Sequence, residues 1–150
     1  MITHKSFIDK WEWKRYRESA KLGYQCCALV KKYCEEVYWI KWLSCGWSAI
    51  DAWNRKGNFD NYFDRPDMPR QWDIVFFDKT LNNKWGHIAI HNDDFSVIEQ
   101  NWWIWGGTGL WADAIRIHKW ASNYLWCMWP KPIEVTPLMQ NTQPDCSLLS

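Results

Sequence analysis

The sequence predicts an α+β fold in which N-terminal helices pack on an antiparallel β-sheet. Apolar residues recur with a helical period as far as about residue 55, and the period changes to short strand-like runs after residue 70. Those runs are joined by brief polar turns rather than by helices, which argues against parallel crossovers. At 150 residues the chain fits a single domain with a proper core.

The elements follow in order. Phe7 to Arg17 reads as a helix, and Gly23 breaks the chain before a second one. From Cys26 the apolar positions Cys26, Leu29, Val30, Tyr33, Val37 and Ile40 keep the i, i+3, i+4, i+7 spacing, while Lys31, Lys32, Glu35 and Glu36 fill the opposite face. Gly46 interrupts that stretch. Ser48-Ala49-Ile50-Asp51 then resembles a capping box opening a short helix to about Arg55. Gly57 to Arg70, rich in Asn, Asp, Pro and Gly, reads as a loop. Five strands are predicted: Ile74 to Phe77, His87 to His91, Phe95 to Asn101, Ala114 to Ile117 and Tyr124 to Met128. Residues 1–132 are expected to form the working domain and 133–150, with Pro137 and Pro144, a flexible tail.

Charge is balanced, with 18 basic and 17 acidic residues, so no nucleic acid or other polyanion is implied as a partner. The first residues lack an apolar stretch of signal-peptide length, and charges interrupt every apolar run elsewhere. The expectation is a protein made in the cytoplasm, with no membrane partner, acting as a monomer. The six cysteines (26, 27, 34, 45, 127 and 146) show no C-x-x-C spacing from which to build a zinc site, so neither metal nor cofactor is expected.

Cys26 opens its helix. Unpaired N–H groups and the helix dipole favour a thiolate there, and its own N–H is suited to stabilise an oxyanion. The competing reading is a small apolar residue between helix and sheet. Cys27 lies about 100° round the helix and reads as structural. His87 follows Gly86, where a substrate can approach closely, whereas His91 sits four residues on along the same face. Either histidine is a candidate base. Glu99 and Asn101 alternate along one strand, so both project to one face while Gln100 points away. A carboxylate there either orients an imidazole or lies on a solvated sheet face.

Tyr24-Gln25-Cys26-x-Ala28-Leu29-Val30, Asp73-Ile74-Val75-Phe76-Phe77, Gly86-His87-Ile88-Ala89-Ile90 and Ile98-Glu99-Gln100-Asn101 together resemble the CHAP family, cysteine- and histidine-dependent amidohydrolases/peptidases of the papain-like superfamily. The resemblance spans roughly residues 5 to 132. It implies a papain-like fold and cleavage of an amide in peptidoglycan through a thioester. It assigns Cys26 as nucleophile, His87 rather than His91 as base, and Glu99 with Asn101 as orienting groups. Gln25 and Tyr24 are then expected at the oxyanion or substrate. Without a signal peptide, a phage lysin reaching the wall after release or delivery is the expected setting. A catalytically idle wall-binding module is the alternative, followed by a papain-like hydrolase of another amide. Two departures stand out. Some relatives carry an Asp-rich calcium loop before the Gln-Cys pair, but Lys14 to Lys21 is basic here, so no calcium is expected. Trp72 occupies the place of a family glycine.

The last anomaly is composition: 15 tryptophans stand against 7 glycines, below the average glycine share of about 7%. The tryptophans read as ligand-stacking platforms, as filler, or as glycines encoded by UGA and translated as tryptophan. Trp47, Trp72, Trp103 and Trp105 motivate the last reading because they sit beside glycines or at a glycine's expected place.

Overall fold

The computed structural model describes residues 1–20, 23, 25–92, 96–101, 116–119 and 124–132. Its centre is a six-stranded sheet in which every neighbouring pair is antiparallel. The strands are β1 (Phe63–Asp64), β2 (Ile74–Phe77), β3 (His87–His91), β4 (Ser96–Glu99), β5 (Arg116–Lys119) and β6 (Tyr124–Pro130), in the order β1-β6-β2-β3-β4-β5. Four helices precede or interleave with the first strands: α1 (His4–Trp11), α2 (Cys26–Tyr38), α3 (Ala49–Trp53) and α4 (Phe59–Tyr62). The predicted α+β arrangement is present. No helix among the described residues is long and apolar enough to cross a membrane.

The sheet is buried on both faces around β2 and β3. Ile74, Phe76, Ile88 and Ile90 join the large core with Leu29, Val30, Tyr33 and Val37 of α2. The alternate positions Val75, Phe77 and Ala89 join Val97 and Cys127 in a smaller cluster. This explains why β2 reads as an unbroken apolar run rather than an alternating one. The helical stripe of α2 is buried at Leu29, Val30, Tyr33 and Val37, with Cys26 and Ile40 at its half-buried ends.

Several boundaries differ from expectation, each for a local reason. The helix expected over Phe7 to Arg17 starts and ends earlier. Thr3 caps α1, its hydroxyl accepting from the Ser6 N–H at 3.0 Å, and the chain turns out of the helix at Glu12 and Trp13. Helix α2 stops at Tyr38 because Trp39 takes a left-handed conformation, φ 60° and ψ 26°, and its N–H returns to the Cys34 carbonyl. Ser48 caps α3 as predicted, accepting from the Asp51 N–H at 3.2 Å. The segment 57–70 is not simply a loop, since it holds α4 and β1. Its Phe59 and Phe63 are both 1% exposed, and burying each side chain contributes ~1.5–3 kcal/mol, enough to anchor a polar stretch. Strand β4 ends at Glu99 instead of Asn101, β5 lies two residues later than expected, and β6 runs on to Pro130. Tyr24, Trp103, Trp105 and the expected tail at 133–150 lie outside the described residues.

Candidate active site

Four segments of the sequence meet at one cleft of about 550 Å³, whose walls include Gln25, Cys26, Trp47, Trp85, His87 and Asn101. Helix α2 packs on β3, which brings the helix start beside the first residue of that strand. The Cys26 and His87 side chains both line this cleft and are coupled electrostatically. On the other side, His87 Nε2 lies 2.9 Å from a Glu99 carboxylate oxygen, with both side chains buried. Nδ1 is therefore the ring nitrogen left for the thiol.

Strand register explains the second contact. β3 pairs with β4 through Ile90↔Ile98 and His91↔Val97. Continuing that register sets Glu99 opposite Ala89 and diagonal to His87, within reach of long side chains on one face. The single methyl of Ala89 leaves room between them. His91 lies elsewhere: its Nδ1 is 2.7 Å from the Arg70 carbonyl, at the far end of the strand.

Asn101 does not continue the alternation of β4. It adopts φ 61°, a left-handed conformation that asparagine tolerates better than most residues. This turns its amide to the Gln25 side chain, Asn101 Nδ2 donating to Gln25 Oε1 at 3.2 Å. Gln25 itself is the cap residue of α2 and makes no side-chain cap bond. Gln25 is also part of the cleft wall.

Electrostatics bind thiol and imidazole into one unit. Burial disfavours the imidazolium, yet the Cys26 and Glu99 charges outweigh it and push His87 up to about 10. The Cys26 thiol is pushed well above its ordinary value, first by its hydrogen bond with Cys27 and then by burial, while His87 pulls it down. The helix start was expected to favour the thiolate, but Cys27 and burial oppose it. The thiolate is thus stabilised only alongside a protonated His87. A raised histidine pKa stabilises the fold fully below its ordinary 6.5, and that contribution is lost as pH rises to about 10. The melting temperature should therefore fall between those limits, and fall less steeply in Cys26→Ala. A flat wild-type profile across that range would contradict the coupling.

Two supporting residues escaped the sequence reading. Asn83 donates from Nδ2 to the Gly86 carbonyl at 2.8 Å and accepts at Oδ1 from the Trp85 N–H at 3.0 Å, clamping the turn that leads into His87. The Asn-rich turn was visible, but its inward amide was not. Gly86 has φ 67°, and a Cβ there would meet the Phe77 carbonyl oxygen at 2.8 Å. Gly86→Ala is expected to cost about 2–4 kcal/mol, read as a lower denaturation midpoint. The second residue is Gln100, which is fully buried. It accepts at Oε1 from the Tyr16 N–H at 2.9 Å, and its Nε2 donates to the carbonyls of Tyr16 at 2.7 Å and Gln25 at 2.8 Å.

No protein-family model matches the chain, and no curated protein matches it. Among solved structures it is similar to the wild-type endolysin LysIME-EF1, with a TM-score of 0.59 and 17% identity over 87% of this chain and 65% of that one. The chain thus spans somewhat less than two thirds of that endolysin's length. At this identity the likeness is one of fold.

Proposed function

We propose that the protein is a peptidoglycan hydrolase of the CHAP type, with a papain-like arrangement and a Cys26–His87–Glu99 catalytic line. The observation that carries this reading is the thiol–imidazole–carboxylate sequence itself, drawn from a helix start and two strands, with Cys26 and His87 in the cleft wall and Glu99 buried against His87. A buried carboxylate on the distal nitrogen of a histidine whose other side faces a cysteine is what a cysteine nucleophile needs. The fold shared with an endolysin supports peptidoglycan as substrate, and Trp47 and Trp85 give the cleft aromatic walls suited to glycan or peptide.

In this mechanism His87 takes the proton from Cys26 Sγ, and the thiolate attacks the carbonyl carbon of a wall amide. The Cys26 backbone N–H and Gln25 Nε2 receive the oxyanion. As the tetrahedral species collapses, the C–N bond breaks and the amine leaves with the proton from His87. Water then attacks the thioester, giving its proton to His87, and releases a carboxylic acid with the thiol restored. Glu99 holds the imidazole in place, and Asn101 holds Gln25. Residues 1–132 form the catalytic unit, and the setting is phage lysis, by release or delivery to the wall.

Incubation with purified cell walls, followed by mass spectrometry of the soluble muropeptides, tests the proposal. New amine and carboxyl termini are expected without new reducing sugar ends, and their position names the bond. Walls left intact by folded protein would sink the hydrolase reading in favour of a binding module.

A further inference from the structure

We propose that Gln100 is a positioning residue for the oxyanion site, an inference that rests on the reading of Cys26 as nucleophile. A peptide unit is planar and trans, so its C=O and N–H point in opposite directions. The Gln25 carbonyl and the Cys26 N–H belong to one such unit. Whatever holds that carbonyl aims that N–H. As the cap residue, Gln25 begins the helical ladder, its carbonyl accepting from Ala28 N–H at 3.1 Å and Leu29 N–H at 3.4 Å. Gln25 makes no side-chain cap bond, so locally this peptide is held through its carbonyl in the helical ladder.

Gln100 adds a brace from the sheet. Its Nε2 donates to the Gln25 carbonyl at 2.8 Å. The same amide is fixed at both atoms by the Tyr16 main chain, at 2.7 Å and 2.9 Å, so the donor itself cannot swing. Next to it in sequence, Glu99 orients His87 and Asn101 holds the Gln25 side chain. Three consecutive residues thus address the base, the main chain before the nucleophile and the cap side chain. All three branch from one strand end, so their relative placement is set by covalent geometry.

Two reactions of Cys26 separate positioning from general loosening. Turnover of p-nitrophenyl acetate passes through an oxyanion, whereas alkylation by iodoacetamide does not. Gln100→Met keeps length and volume without the donors. It is expected to lower kcat for the ester at least about tenfold with little change in KM, while the alkylation rate of Cys26, mapped by mass spectrometry, stays within about threefold. Gln100→Asn, which keeps the amide but shortens its reach, should show the same split if the Met variant fails to fold. Equal losses in both reactions, or no loss in either, overturn the proposal. Ester turnover retained by Cys26→Ala is a separate result and overturns the nucleophile assignment instead.

An independent observation carries a second inference. Trp13, Trp39 and Trp72 have φ of 65°, 60° and 77°, in the left-handed region where a bulky residue is an outlier and glycine is at home. Trp39 occupies the residue after the helix end where glycine is favoured. Trp13 and Trp39 are 70% and 64% exposed. Trp72 finds a stacking partner in His4 at 5.1 Å, although its backbone still carries the strain. Other tryptophans behave as tryptophans. Trp11 donates from its indole to Glu36 at 3.3 Å, Trp53 packs on Phe76 at 5.4 Å, and Trp126 donates to the Pro66 carbonyl.

The geometry points to glycine as the native residue at 13, 39 and 72, encoded by UGA and read as glycine in the producing organism. The codons are expected to split accordingly: UGA at 13, 39 and 72, and UGG at 11, 53 and 126. The combined Trp13→Gly, Trp39→Gly and Trp72→Gly variant should melt several degrees higher, whereas Trp53→Gly should melt lower. UGG at 13, 39 and 72 would overturn the inference.

Discussion

Cys26→Ala is expected to abolish wall cleavage, lowering the rate roughly 10⁴-fold or more, while the melting temperature changes little. The residue is half-buried at a helix start, and its removal deletes one sulfur from the wall of a cleft rather than from the packed core. Cys27 has the opposite profile. Its hydrogen bond is the first of the causes that raise the Cys26 pKa, so Cys27→Ala should retain lysis and speed alkylation of Cys26 at neutral pH. Loss of lysis in Cys27→Ala together with full activity in Cys26→Ala would reverse the assignment. Turbidity loss of purified walls and iodoacetamide kinetics read the two effects separately.

Glu99→Gln is the second large effect. It keeps the shape at the distal nitrogen of His87 and removes the charge that helps sustain the imidazolium. A loss of about 10²–10⁴ in kcat is expected, as for the third member of other triads. The sign of the accompanying pH shift follows from the site. Glu99 raises the His87 pKa, so the variant's histidine deprotonates at lower pH, and the alkaline limb of the pH–rate profile should move down from about 10. A reduced rate with an unmoved alkaline limb would mean that Glu99 serves the fold and not the histidine's charge.

Much of this site was legible because each part obeys a short-range rule. The helical stripe from Cys26 and the apolar runs of β2 and β3 appear where periodicity puts them, and the residues alone left His87 and His91 both open until the family resemblance favoured His87. What escaped was decided by tertiary contact. Phe59 and Phe63 sit among Asn, Asp, Pro and Gly, so local composition concealed two core anchors. Gln100 was assigned to the far face by strict strand alternation. Strand β4 ends at Glu99, two residues earlier than expected, and the left-handed turn at Asn101 brings both amides to Gln25. The Thr3 cap, with no acidic residue in the first turn to complete a capping box, left the start of α1 unmarked.

The strand order has a consequence for how the molecule comes into being. β6, the last strand in sequence among those described, lies between β1 and β2, two of the earliest. β2, β3, β4 and β5 are contiguous neighbours, so β6 joins at the free edge of β2 and gives β1 its partner on the other side. Its pairing with β1 joins residues 63 and 130, a long loop closure of the kind that slows folding. During synthesis, β1 and β2 wait with open edges until residue 130 has left the ribosome. A chain stopped before Tyr124 is therefore expected to leave one edge of β2 unpaired and β1 without its partner strand.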